Sequence, residues 1–100
     1  MTEENPKLDT STLSLLNKKI QLNSATIDDY KTLDYFLSPF FGTDFILNKL
    51  KENNIYSYEE YIIERTKPIS QKNRSVEGLL LGTIMGAISV LEKYISNQIR

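Results

Sequence analysis

Apolar positions along this chain recur at spacings of three and four, not two, so the elements they predict are helices. STLSLLNKKIQL (residues 11–22) places Leu13, Leu16 and Ile20 on one side of a helix. Lys18 and Lys19 fall toward its C-terminal end, where positive charge suits the helix dipole. ATIDDYKTLDYFL (25–37) follows, with Ile27, Tyr30, Leu33 and Leu37 at helical spacing. Thr26 is placed to cap this helix and Asp29 holds the capping-box position. Pro39 is predicted to end it, because the residue before a proline avoids helical geometry.

TDFILNKLKENN (43–54) predicts a third helix, with Thr43 as its cap and Asp44 at its positive end. Phe45 then shares a face with Lys49 and Glu52, while Ile46, Leu47 and Leu50 supply apolar contacts. Asn53 or Asn54 suits the left-handed closing position, which lets Ile55 fold back onto the helix. SYEEYIIERTK (57–67) predicts a fourth helix with Ser57 and Glu60 as a capping box. The link between the two is about three residues long, which makes a hairpin or a corner.

The segment from Ser75 to about Gln98 predicts the longest helix, with a possible start at Ser70. On a helical wheel, Val76, Leu79, Leu80, Ile84, Ala87, Ile88, Val90, Leu91, Tyr94 and Ile95 cover roughly two thirds of the circumference. The remaining third carries Ser75, Gly78, Gly82, Gly86, Ser89, Lys93 and Ser96. Three of the four glycines in the chain thus lie on one stripe at four-residue intervals. Three interior glycines cost a helix about 2.5–3 kcal/mol relative to alanine. A small domain has only about 5–15 kcal/mol of stability in all, so close approach of another backbone is expected to offset them. That backbone belongs to another helix of the same chain or to a second copy; in a third reading the segment inserts in or lies on a membrane. The uncharged apolar run, residues 78–91, is shorter than the roughly 20 residues that span a bilayer, which argues against the last.

Composition narrows the picture by exclusion. One hundred residues suit one domain, with residues 1–10 read as a flexible polar tail and 11–100 as a single helical domain. No Asn-Gly or Asp-Gly turn and no alternating β-branched run predicts a strand. The expected fold is an all-α, compact bundle of four to five helices with the long apolar C-terminal helix at its centre. A net charge of −1 gives no general pull toward nucleic acid or an anionic membrane. Without cysteine there is no disulfide, thiolate metal site or thiol nucleophile, and without histidine the commonest metal ligand and general base are missing. The acidic start MTEENPKLDT is unlike a signal peptide, and a cytoplasmic protein is expected.

Few side chains remain as candidates for chemistry. All four phenylalanines fall in FLSPFFGTDF, as Phe36, Phe40, Phe41 and Phe45, either filling a buried corner or forming an exposed anchor for a partner. Glu60 and Glu64 share a face in YSYEEYIIER, but nothing nearby completes an acid–base pair or a metal site, so a solvated acidic face is expected. RTKPISQKNR carries Arg65, Lys67, Lys72 and Arg74 with no acid between them, just ahead of Ser75 at the start of the long helix. The five acids against two bases in residues 43–64 polarise charge along the chain. This basic loop either pairs with those acids or cradles a small anion or nucleotide at the helix N-terminus. Serines lack any histidine to activate them, so no enzyme is expected, and no cofactor or metal.

The function expected is that of a small non-enzymatic interaction or regulatory protein. From size and plain composition, accessory proteins of phages or mobile elements, inhibitors and immunity-type proteins are such chains. Its first partner is expected to be itself, as a homodimer with Gly78, Gly82, Gly86 and Ser89 at a close helix crossing, with another protein as a further partner. The alternative is an anion or nucleotide binder using Arg65, Lys67, Lys72, Arg74 and Ser75.

Overall fold

In a computed structural model of the chain, residues 7–71 and 74–98 are described, and they contain helices and turns but no strand. The helices are α1 (Thr10–Gln21), α2 (Ile27–Phe41), α3 (Phe45–Glu52), α4 (Tyr58–Thr66) and α5 (Ser75–Gln98). A short 3₁₀ turn, Ile69–Gln71, precedes α5, which therefore begins at Ser75 and not at Ser70. The architecture is the expected all-α bundle, with the long apolar C-terminal helix in its middle. The C-terminal part of α5 packs on α1 and α2, and its N-terminal part on α3 and α4.

The folded body starts ahead of residue 11. Asp9 accepts a bond from the Thr12 amide at 2.8 Å and caps α1, while Leu8 packs against the core. Residues 1–6 of the predicted tail lie outside the described residues. At its other end α1 closes on Asn23, whose φ of 54° is left-handed. The Ser24 amide reaches back to the Lys19 carbonyl at 2.8 Å, which satisfies one of the helix's last carbonyls.

The capping box of α2 forms as its sequence implies. Thr26 Oγ1 accepts from the Asp29 amide at 3.2 Å, and Asp29 Oδ2 accepts from the Thr26 amide at 2.8 Å. Pro39 does not stop the helix, which runs on to Phe41. A proline removes the bond its own amide would make and crowds the carbonyl four residues back, which costs a helix stability without necessarily ending it. The stop comes from Gly42, at φ 92°, a conformation that side chains other than glycine adopt at a cost.

The start of α3 departs from the sequence reading. Thr43 is not its cap. Asp44 occupies the cap position in a left-handed conformation, φ 57°, and makes no side-chain bond to the helix. The helix is capped instead from α2. Asp34 Oδ1 accepts from the Ile46 amide at 2.7 Å and Oδ2 from the Leu47 amide at 3.2 Å. The Tyr58 hydroxyl of α4 donates to the same Oδ2 at 2.5 Å. Asp34 is the single polar or charged residue among the buried ones described, and it joins three helices. Loss of water pushes its carboxyl above the ordinary 3.8, against the pull of the three donors.

Beyond α3, Asn54 takes the left-handed position at φ 64°, and the Ile55 amide returns to the Leu50 carbonyl at 2.9 Å. Ile55 folds back into the core, as the sequence implies. The link to α4 is longer than predicted, residues 53–57. Ser57 caps α4 through the Glu60 amide at 3.0 Å, but Glu60 returns its bond to the Tyr56 amide, at 2.6 Å, and not to Ser57. Between α2 and α4 the core is aromatic: the Tyr30 ring stacks on Tyr58 and meets Tyr61 edge-on, each with centroids 5.9 Å apart.

Candidate association face

The wheel drawn from the sequence describes α5 well on its inner side. Val76, Leu79, Leu80, Ile84, Ala87, Ile88, Leu91 and Ile95 are all buried. Between Leu79 and Ile84 the helix widens into a π segment. The wider turn lets these two residues, five apart, both face the core, which a regular α-helix places less closely. Alternation of residue types in LLLGTI carries no signature of this widening.

The outer side of α5 is organised by one row of positions four apart: Gly78, Gly82, Gly86, Val90 and Tyr94. Every member of the row is exposed. A Cβ built on any of the three glycines meets nothing within 4 Å. The glycines therefore do not make room for another helix of the same chain, which removes the first of the three packing solutions open in the sequence. On the parallel row beside them, Leu81 is 69% exposed, the largest value among the exposed large hydrophobic residues described. Ser89 turns its hydroxyl back to the Met85 carbonyl at 3.1 Å, so it satisfies itself within the helix and presents little polarity outward. Val90 and Tyr94, placed on the apolar side of the wheel, are only partly covered, at 37% and 42% exposed. The four shorter helices do not reach around the whole apolar surface of α5.

At its C-terminal end the row runs into an aromatic groove. The Tyr94 ring meets Phe40 of α2 edge-on, with centroids 5.2 Å apart. Together with Leu8, Tyr35, Phe36, Ser38 and Pro39 they line a cavity of about 360 Å³. The phenylalanine cluster is thereby split. Phe36 is buried and Phe45 packs partly against the core, whereas Phe40 and Phe41 stand on the surface.

The basic loop does not gather its charges. The Arg65 guanidinium donates to the carbonyls of Ile20 and Gln21, the latter at 3.1 Å, and so closes the C-terminus of α1. It also lies 5.9 Å above the Tyr61 ring. Lys67 is paired with Glu64 through a short ion pair. Arg74 lies exposed at the start of α5 and its side chain does not cap the helix. Ser75 is half-buried there, and Lys72 lies outside the described residues. Two of the four cations expected at an anion site thus have structural partners. Of the acidic face, Glu60 and Glu64 are likewise engaged, with Tyr56 and Lys67. Among the described residues no group of three or more acidic side chains comes together as a metal ion would require.

By length and composition alone, α5 is a helix that a bilayer could accommodate: it has 24 residues and a mean hydropathy of 1.4 in its most apolar window. The fourteen-residue uncharged run understates it, because the apolar stretch continues past Glu77 and Glu92 on the helix. Its inner face nevertheless packs against four other helices, as a core helix does. Compared with protein-family models, with curated proteins and with solved structures, the chain matches none.

Proposed function

We propose that this protein is a small non-enzymatic interaction or regulatory protein that associates with itself through the outer row of α5. One observation carries the reading: three consecutive positions of that row are glycines with open space beside them, on a helix whose inner face is apolar and whose outer side adds exposed Leu81, Val90 and Tyr94. Glycine in an exposed helix interior costs about 1 kcal/mol relative to alanine, and nothing within the chain offsets it. A second helix crossing at short distance does, because removing the Cβ lets backbones approach and brings many atoms into contact at once. Leu81 and the half-buried Met85 flank the row and supply apolar surface to such a contact. A closed twofold pair is the commonest form this takes. Protein, and not lipid, is the surface this row meets.

Sedimentation or light scattering over a concentration series tests the reading. The expected result is a dimer that dissociates on dilution, and a Gly82→Leu variant that dissociates at higher concentration with unchanged helix content. Since a side chain at position 82 meets open space, the variant does not overpack the monomer's core. A protein that stays monomeric at millimolar concentration would refute self-association.

The alternative, an anion or nucleotide bound by loop 65–74, gains no comparable support. It needs Arg65 to leave the carbonyls of α1 and Lys67 to leave Glu64.

A further inference from the structure

The groove at the end of the glycine row is lined by aromatic and small side chains without a single charge: Tyr35, Ser38, Pro39 and Phe40 from α2, Tyr94 from α5, and Leu8 ahead of α1. Three of its rings stand well out of the core, with Tyr35 at 51%, Phe40 at 39% and Tyr94 at 42% exposure. We infer that this groove is the second half of the self-association interface, closed by the other copy of this chain, and that Phe40 and Tyr94 anchor it. The inference rests on the reading of α5 as an association face and says where that face gets its binding strength.

Area is the first argument. A 24-residue helix is about 36 Å long, and one face of it about 10 Å wide, so the row of α5 offers about 360 Å². A stable pair buries about 800 Å² on each partner. Glycines contribute close approach but little surface of their own. The helix crossing alone therefore falls short by about half, and the interface must extend sideways onto another part of the molecule.

Continuity is the second argument. Gly86, Val90 and Tyr94 are successive members of the same four-residue row, and Tyr94 is already in the groove against Phe40. A helix laid along the glycines of one copy thus carries its own chain up to the groove's edge. Among the ring pairs of the described residues, the Phe40–Tyr94 pair is the one that includes a ring of α5. Large aromatics are enriched among the few residues that supply most of the energy of a contact, because they bury much area with few rotamers to fix.

Chemistry is the third argument. A charged peptide, a nucleic acid or a lipid headgroup finds no counter-charge in this lining. The surface that matches it is uncharged and apolar, which the middle of the outer side of α5 presents in Leu81, Met85 and Val90, between Glu77 at one end and Glu92 and Lys93 at the other. The protein thus carries both surfaces, and the groove of one copy is closed by α5 of the other.

Sedimentation equilibrium of the full chain decides it, with Tyr94→Ala, Phe40→Ala and the control Ile63→Ala. Ile63 is 51% exposed on α4, beside residues none of which line the groove. The dissociation constant is expected to rise at least about 20-fold in Tyr94→Ala and in Phe40→Ala, and to stay within about threefold in Ile63→Ala. Far-UV circular dichroism and melting curves identify any variant that fails to fold. Tyr94→Lys, at an exposed position, then serves in its place and is expected to abolish the dimer. If the wild type and Gly82→Leu behave as proposed but the groove variants associate like the wild type, the groove lies outside the interface and the inference is overturned alone. If the wild type is monomeric, whether it binds another protein or a vesicle instead, the inference falls together with the reading beneath it.

Discussion

At the junction of α2, α3 and α4, one buried carboxylate reaches down the chain to hold the start of a helix, whereas along the outer row of α5 three glycines leave open space where a Cβ would stand. The first region is self-sufficient. Asp34 satisfies the amides of Ile46 and Leu47 and the hydroxyl of Tyr58, so an eight-residue helix too short to persist alone is fixed from outside. The second region is left with apolar and backbone surface that its own chain does not use. A small bundle can complete its polar bonds internally because each needs only one partner atom. Covering a long apolar helix needs area, and four short helices run out of it.

The largest effect should come from breaking the first region. Asp34→Ala leaves two helix amides and a buried hydroxyl without their acceptor. Each such loss costs about 1–3 kcal/mol, partly offset because a buried charge disappears too, for a net loss of about 3 kcal/mol. A melting temperature lower by at least roughly 10 °C is the expected outcome. Asp34→Asn separates charge from hydrogen bonding. The Asp34 carboxyl is raised above 3.8 in the folded protein, so the native state binds its proton more tightly than the unfolded state. Wild-type stability therefore falls as pH rises from about 3.8 through the folded value, relative to Asp34→Asn, and levels off above it. Asp9 runs the other way: bonds from Thr12 hold it below 3.8, so its contribution is lost as pH falls below that point. The two windows lie on opposite sides of the ordinary aspartate value and are separable in one pH series of denaturant melts.

A smaller effect sharpens the second region. Gly86 sits in the regular α-helical part of α5, Met85–Gln98, with open space where a Cβ would go. Gly86→Ala should stabilise the isolated monomer by about 1 kcal/mol, since it restores helix propensity without a clash. In the dimer the same methyl stands between two backbones and should weaken association. Opposite signs from one substitution, in denaturant melts at low protein concentration and in sedimentation at high concentration, are what an exposed docking row implies. Equal stabilisation at both concentrations would mean that the row meets no partner.

How much of this was legible in the sequence depends on range. The caps made by neighbours in the chain were: the Thr26–Asp29 box, Ser57 on the Glu60 amide, and Asn54 turning Ile55 inward. The inner and outer sides of α5 were also legible, because burial follows helical period. What the sequence hid were the caps made from a distance, Asp34 on α3 and Arg65 on α1. Nothing in TDFILNKL says that its cap lies on another helix. A clue was nonetheless present, since Asp34 lies four residues after Tyr30 and three before Leu37, on the apolar face of α2, where an unneeded carboxylate is costly. Pro39 misled in the other direction. As the third residue from the end of α2 it forfeits one bond near a helix end, which Gly42 then terminates.

The smallest expected effect tests how complete the first region is. Tyr61 is fully buried, and its hydroxyl finds no hydrogen-bond partner among the described residues. Burial pushes its ionisation well above the usual tyrosine range, so the group is a neutral phenol at any ordinary pH. Its ring does the packing: edge-on to Tyr30, and beneath the Arg65 guanidinium that closes α1. Tyr61→Phe keeps that ring and removes an oxygen that left water without gaining a partner, so stability should change by less than about 0.5 kcal/mol, or rise. Tyr58→Phe is the matched comparison, because its hydroxyl donates to Asp34 and its loss strips a buried carboxylate of one of its three donors. That variant should cost about 1–2 kcal/mol in denaturant melts. A large loss in Tyr61→Phe equal to that in Tyr58→Phe would show that the polar network of this half extends across the tyrosines to Arg65, beyond the bonds that Asp34 makes.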